Sequence, residues 1–396
     1  MNEEFPIIKT IDDVLPWIAD KPEITIQEKS FYDKKFKIIC YQISDKNTFD
    51  NPYARECRGI VFDSSGKIVC RPFHKFFNVN EREETQEKSL NDKKISSIHP
   101  KMDGSMISWF NSDGIWIPKT KKTFFRPEIT GALKTNEYTS GSIDRLLDSI
   151  GPEYTATFEY TSPTNRIVVD YKEPHLTLLA IRHNESGEYV PYNILKIFAE
   201  AAKCSYVQNI NGKNIEFLLN KAKETKTTEI EGWVAVFDSG ERVKIKTVGY
   251  LMAHKLIGSL TMKNILETWA EEQLDDRVSF LRSNGFFEQA NEIEKIGQLA
   301  KMHLIETINL IKTSSDNLLK RKYISPETFF KDSYQELQKQ MKNPAYINAT
   351  MRLLRGQEVD WNDFTKKVVT KEILEELNKG TSDFCQPTRI GFGERQ

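Results

Sequence analysis

The sequence predicts an α+β fold, with mainly antiparallel sheets followed by a smaller all-α C-terminal domain, and three observations carry that expectation. Short β-branched and aromatic runs separated by turn clusters fill the chain from Phe36 to about Val248. Helical intervals interrupt them. After about Tyr250 the apolar period lengthens to three or four residues, through Ile293, Ile296, Ala300, Leu304, Ile308 and Ile311. At 396 residues the chain exceeds the usual size of one hydrophobic core, so a boundary is expected near residue 254, with domains 1–254 and 255–396.

Taken in order, Gly59–Asp63 and Lys67–Arg71 flank the turn Ser64-Ser65-Gly66, and Met106–Phe110 and Ile115–Pro118 flank Asn111–Gly114. Further strands are expected over Tyr154–Tyr160, Arg166–Asp170, Leu176–Arg182, Gly232–Asp238 and Arg242–Lys246. Helices are expected over Ile143–Ser149, Tyr192–Ala202 and Ile215–Glu224. In the helical region Ser325-Pro326-Glu327 reads as an N-cap followed by proline at the first helical position. The last helix, Lys371–Lys379, has Gly380 as its C-cap, and Thr381–Gln396 reads as a polar tail.

Composition narrows the class. Hydrophobic residues at 39% are enough for real cores, and charged residues at 29% imply a well-solvated exterior. No apolar run is long enough to span a bilayer, and the start Met1-Asn2-Glu3-Glu4 lacks the basic and apolar regions of a secretory signal. The expectation is a cytoplasmic protein with no membrane partner, and a monomer. Cys40, Cys57, Cys70, Cys204 and Cys385 are scattered and never two apart, which argues against disulfide and zinc frameworks alike. No two histidines stand at helical metal-ligand spacing, and His303 borders an apolar stripe as a packed histidine does. Hard-cation chemistry would have to come from carboxylates.

A net charge of -1 rules out coating of nucleic acid by bulk electrostatics and leaves local patches. The densest is Lys119, Lys121, Lys122 and Arg126 with Phe124 and Phe125 between them, a mixture suited to phosphate contact and base stacking.

The segment that points to chemistry is Lys101-Met102-Asp103-Gly104-Ser105, directly before an apolar strand. A lysine at a strand edge, followed by a glycine that lets backbone approach a phosphate, suits a nucleophile for an α-phosphate. Downstream come Thr157-Phe158-Glu159-Tyr160, Ile230-Glu231-Gly232-Trp233-Val234 and Val243-Lys244-Ile245-Lys246. Alternation in the last string puts both lysines on one strand face, a convergent cationic pair. Such cations would disfavour the ammonium form of a neighbouring lysine and stabilise charge on a reacting phosphate. Glu159 and Glu231 sit at the ends of apolar strands, where a carboxylate is costly to bury unless it binds a cation or accepts hydrogen bonds.

In this order the segments resemble the covalent nucleotidyltransferase superfamily of ligases and capping enzymes. Glu56-Cys57-Arg58-Gly59, Lys75-Phe76-Phe77-Asn78 and Ser162-Pro163-Thr164-Asn165-Arg166-Ile167-Val168 narrow the resemblance to the bacteriophage RNA ligases that seal broken tRNA, the RNA ligase 1 family. The match runs from about Tyr41 to Tyr250. The resemblance implies an antiparallel-sheet, ATP-grasp-like nucleotidyltransferase domain, the substrates ATP and RNA, and magnesium, or manganese in its place. It implies that Lys101 takes AMP from ATP, that AMP passes to an RNA 5′-phosphate, and that a 3′-hydroxyl then displaces it. By the same resemblance Lys244 and Lys246 assist catalysis and contact ATP, while Glu159 and Glu231 serve the metal, Glu159 also lying near the ribose. Arg58, Lys75 and Lys121 contact phosphates, Tyr41 and Phe77 shape that end of the pocket, and Tyr250 follows the lysine pair. The chain departs from the family at Lys122-Thr123, where a glycine-serine turn is usual, which puts the loop there in question. The rival readings are a DNA ligase or capping-type enzyme with the same lysine chemistry, and a catalytically silent RNA-end-binding protein of the same fold.

Overall fold

The computed structural model describes residues 5–42, 44, 47–210, 214–271, 273–283, 285–321 and 327–379. Met1–Glu4, the Ser325-Pro326 cap, Gly380, Cys385 and the tail Thr381–Gln396 lie outside these residues. The chain divides into two compact units between His254 and Lys255.

The first unit holds three four-stranded sheets. One joins β1 (Ile24–Phe31), β2 (Lys34–Tyr41), β3 (Arg58–Asp63) and β4 (Ile68–Cys70) in that order. The second contains β7 (Ser105–Ser112), β8 (Ile115–Lys119), β9 (Tyr154–Thr161) and β10 (His175–His183), ordered β10-β9-β7-β8. The third contains β5 (Phe77–Asn78), β6 (Ile95–Lys101), β11 (Gly232–Phe237) and β12 (Arg242–Lys246), ordered β5-β12-β11-β6. Pairing is antiparallel except between β5 and β12.

Local chemistry explains the boundaries. Asp113 and Gly114 both have positive φ, 51° and 80°, the twist that a tight β7–β8 hairpin requires. Helix Pro52–Glu56 starts on its proline, and the Asn51 side chain accepts a hydrogen bond from Ala54 N–H at 2.8 Å. Ile107, Trp109, Phe158 and Leu178 of the second sheet form a core with Leu146 and Leu147 of helix Ser142–Ile150 and Leu195 of helix Tyr192–Ala202. Trp233, Ala235, Val243 and Ile245 of the third sheet pack on Leu218 of helix Ile215–Glu224. These faces of β11 and β12 are therefore covered, and the opposite face, which carries Lys244 and Lys246 on β12, remains for the site.

Two expectations need correction. Arg166–Asp170 is no strand: Val168 and Val169 both donate their N–H groups to the Asp103 carboxylate, at 2.8 and 2.9 Å, so a side chain takes the place of a ladder partner. Conversely, Ile24–Phe31 is a strand although the strand-like text was expected only from Phe36. It is an edge strand whose Glu28, Lys29 and Ser30 are exposed, so its alternation is weak. Helix Pro127–Tyr138 was also not foreseen.

The second unit is helical among its described residues, with helices Met262–Ala270, Leu274–Ser283, Phe287–Leu319, Phe329–Gln340, Pro344–Leu354, Trp361–Phe364 and Thr370–Lys379. Ile293, Ile296, Ala300 and Ile311 form the buried stripe of the long helix. A Cβ on Gly297 would stand 2.5 Å from Leu274 Cδ2, so glycine permits close helix packing there. His303 is packed as expected, its Nε2 3.6 Å from Glu372 Oε2. No helix among the described residues is long and apolar enough to cross a membrane.

Candidate active site

Sheet register brings the central residues together. Gly232 pairs with Lys101 on one side and with Lys246 on the other, so Glu231, one residue earlier, sits between two lysines from different strands. Lys101 Nζ lies 2.7 Å from Glu231 Oε2, and Lys246 Nζ lies 2.9 Å from Oε1. The carboxylate is buried yet fully paired, which offsets its desolvation. Gly232 makes the crossing feasible: its φ is 150°, and a Cβ would meet the Ile245 carbonyl oxygen at 1.9 Å.

Lys244 lies two residues before Lys246 on β12, with Nζ 5.3 Å from the Phe76 ring centroid. Burial first, then the charges of Lys75, Arg58 and Lys101, push its pKa down to about 7. Lys101 itself is held in its ion pair with Glu231.

The Asp-Gly that follows Lys101 is structural. Asp103 is 2% exposed, and besides Val168 and Val169 it accepts from the Tyr250 hydroxyl at 2.8 Å. Its own N–H donates to the Tyr171 hydroxyl at 3.1 Å. Gly104 faces β9, where a Cβ would stand 2.3 Å from the Tyr160 carbonyl oxygen, so close backbone approach requires glycine. Its N–H donates to Glu159 Oε1 at 3.2 Å. Burial raises the Glu159 pKa to about 7, with Lys101 and Arg58 pulling it down and Glu231 pushing it up. Tyr250 also presents its ring 5.0 Å from Lys246 Nζ.

A second cluster gathers on the aromatic rings near β2 and β5. Lys121 Nζ sits 3.3 Å from the Tyr41 ring centroid, and Lys75 Nζ lies 5.7, 5.2 and 5.3 Å from the rings of Tyr41, Phe49 and Phe77. Burial lowers the Lys75 pKa. Burial raises that of Tyr41, but Arg58, Lys121 and Lys75 outweigh it and the net shift is downward. Arg58 Nη1 is 3.4 Å from Met106 Sδ, at the start of β7. Electrostatic influence of Lys75 and Arg58 on Lys244 links this cluster to the third sheet.

Lys119 departs from the expected basic patch. It is fully buried, and its ammonium donates to the Gly59 carbonyl at 2.9 Å and to the Lys121 carbonyl at 3.4 Å. Gly59 has φ 97°, and a Cβ there would meet the Lys121 carbonyl oxygen at 2.5 Å. One buried cation therefore fixes the backbone next to Arg58 and that of Lys121. Lys122 Nζ turns away to Gln42 Oε1 at 2.6 Å, and Phe124 is buried in the core. Thr120 N–H donates to the Thr123 carbonyl at 3.0 Å, closing the turn that holds Lys121 and Lys122.

Sequence reasoning missed the roles of Asp103, Lys119 and Phe49. The available signal for the burial of Lys119 was its register, two residues after Ile117 on β8 and so on the same strand face as that buried side chain. Among the described residues no group of three or more His, Cys, Asp or Glu could hold a metal. Glu159 and Glu231 are two carboxylates. They suit a magnesium-type ion that takes one or two protein ligands and fills its shell with phosphate oxygens and water.

Residues 56–251 match the family described as RNA ligase. RNA ligase 1 of Bacteriophage TS2126 is 30% identical over 253 residues, 62% of this chain and 62% of the relative. A protein of Thermovibrio ammonificans is 32% identical over 229 residues, 54% of this chain and 57% of that one. The chain thus spans less than two thirds of the length of either relative. The RNA ligase of Rhodothermus phage RM378 is 22% identical over 404 residues, 83% of this chain and 87% of its own length.

Proposed function

We propose, from the match of residues 56–251 to the RNA ligase family, that this protein is an ATP-dependent RNA ligase joining a 5′-phosphate to a 3′-hydroxyl. The observation that carries the proposal is the grip of Lys101 and Lys246 on the two oxygens of Glu231, beside the low-pKa Lys244.

In this reading Lys101 Nζ, released from Glu231 and deprotonated, attacks the α-phosphorus of ATP. The bond from the α-phosphorus to pyrophosphate breaks as the N–P bond of the lysyl phosphoramidate forms. Lys244 and Lys246 stabilise the charge that develops on the α-phosphate, while Arg58, Lys75 and Lys121 hold the departing phosphates. AMP then moves to a 5′-phosphate oxygen of RNA, and a 3′-hydroxyl oxygen displaces it to form the phosphodiester. Glu231 and Glu159 would hold magnesium or manganese, which supplies charge neutralisation at the phosphates. Glu159, with a pKa of about 7, is poised to ionise when a cation or ribose hydroxyl arrives. Lys255–Arg395, the helical unit, would recognise folded RNA such as a nicked tRNA anticodon loop by shape and phosphate contacts. The setting would be cytoplasmic, that of the host if the chain is viral, and the protein would act as a monomer.

The direct test is incubation with magnesium and ATP labelled on the α-phosphate, followed by a denaturing gel and peptide mapping. The label is expected on Lys101 and is expected to be absent from Lys101→Ala, which would still seal a pre-adenylated RNA. Label retained on Lys101→Ala, or no label on the parent protein, defeats the assignment.

A further inference from the structure

The tip of the β1–β2 hairpin carries an aromatic group that the nucleotide site does not use. Tyr32 is 80% exposed and Phe125 is 61% exposed, and both lean on Phe31. The Phe31 and Phe125 rings are stacked with centroids 5.8 Å apart and 16° between their planes, while Tyr32 stands edge-on at 4.8 Å from Phe31. Beneath them Phe124 is buried against Phe31, Phe36 and Phe110, at 5.8, 5.4 and 6.2 Å. Exposed rings are thus fixed from below by core rings, and binding would cost little ordering of side chains.

Tyr32 is held with φ 52°, a left-handed conformation that a bulky residue adopts only at a cost of about 1–3 kcal/mol. Glycine, asparagine or aspartate would fit a hairpin tip better and would expose no ring. The outward ring is the one property that tyrosine adds there. Cations are frequent near the group: Lys29 and Lys34 share the strand face of Phe31, Lys35 follows, and in sequence Lys122, paired with Gln42, and Arg126 flank Phe124-Phe125. Glu28, Asp33 and Glu128 are carboxylates nearby in sequence, and Lys34 neutralises Asp113 at 2.6 Å. The balance is mildly positive, so contact with a phosphodiester strand is permitted and the rings would supply most of the affinity.

Position completes the argument. Lys121 sits on Tyr41 in the phosphate-side cluster, and Phe125 follows four residues later, a reach of at most about 14 Å of extended chain. We propose that Tyr32, Phe31 and Phe125 form a platform on which bases of a single-stranded stretch of the RNA substrate stack, next to the end being joined. Substrate identity here rests on the ligase reading above; the platform itself rests on the exposed rings and their charges. Bases of any sequence have a π face, so the platform would be tolerant of sequence.

The test uses the full chain carrying Tyr32→Ser and Phe125→Ser together, both at exposed positions. Three readouts are taken: lysyl-AMP formation from labelled ATP, affinity for a fluorescent 5′-phosphorylated oligouridylate at low and moderate salt, and sedimentation. Adenylation should match the parent, Kd for RNA should rise about tenfold or more, and the salt dependence of binding should keep its slope. Unchanged Kd overturns the platform. A change in self-association with unchanged Kd overturns it in favour of a second copy of the chain as the occupant. Failure of the parent to adenylate sinks the ligase reading alone, since the binding arm still decides the platform.

Discussion

Lys101 Nζ and Glu231 Oε2 face each other at 2.7 Å, so the lysine offered as nucleophile is bound by the carboxylate offered to a metal. Both roles draw on the same atoms, and a change at Glu231 should therefore alter more than metal binding. Glu231→Gln is expected to slow self-adenylation by about a hundredfold or more, the scale of losing one preorganised charged group. It should also flatten the magnesium dependence. A parent-like magnesium titration in the variant would remove Glu231 from the metal site.

Lys244, with its pKa lowered to about 7, is mostly neutral at pH 8 in the free protein. A triphosphate beside it favours the ammonium, so ATP binding at pH 8 should take up a proton. Calorimetry in buffers of different ionisation enthalpy should show this uptake, and Lys244→Met should abolish it. Stability follows the same sign. A depressed lysine pKa gives stability that is fully present above the unfolded value and is lost as pH falls through about 7. Lys244→Met should therefore raise Tm more at pH 6 than at pH 9.

Lys119 touches no candidate substrate position, yet it ties the Gly59 and Lys121 carbonyls together. Lys119→Met keeps the length of the side chain and deletes both hydrogen bonds. The KM for ATP in adenylation should rise about tenfold, with a smaller change in kcat, because Arg58 and Lys121 lose their shared anchor. An unchanged KM would show that the neighbouring backbone holds itself. Thermal stability is a poorer readout here, since removing a buried charge and orphaning two carbonyls have opposite signs.

The Tyr250 hydroxyl reaches Asp103, so a hydrogen bond joins the start of helix Val248–Gly258 to the segment after Lys101. Tyr250→Phe should cost about 1.5–3 kcal/mol, the range for a bond to a charged partner, measured by urea unfolding. Asp103→Asn should cost more, because the carboxylate also accepts from Val168 and Val169. Equal unfolding midpoints for Tyr250→Phe and the parent would rule out the latch.

A protein ending at Gly258 keeps Tyr250 and every candidate nucleotide contact. It is expected to form lysyl-AMP and to lose preference for a nicked tRNA loop over an unstructured RNA of equal length. An unchanged ratio of sealing rates would take recognition away from the helical unit.

Much of this was legible because it lies in local pattern. Alternation in Val243-Lys244-Ile245-Lys246 placed both lysines on one face, and helices Tyr192–Ala202 and Ile215–Glu224 stand where their apolar periods put them. What was not legible depends on partners distant in sequence. Nothing near Asp103 announces that Val168 and Val169 will claim its carboxylate, and nothing near Lys119 announces Gly59. Arg166–Asp170 read as a strand because its residues are β-branched, and a side-chain acceptor overrode that propensity. The basic patch was legible only in part for a related reason, as Lys119 and Phe124 are buried while Phe125 and Arg126 are exposed.

Pairing of β6 with β11 has a consequence for biosynthesis. Lys101 and Glu231 are 130 positions apart in the chain. At about 5–20 residues per second, the strand that ends in Lys101 waits on the order of ten seconds on the ribosome before β11 is made. Throughout that interval β6 has no neighbour on its β11 side, since β11 is the strand that separates it from β12. Nascent chains stalled between these strands should be both inert and adhesive, so chaperone occupancy on translating ribosomes should peak there and fall once residue 246 has emerged.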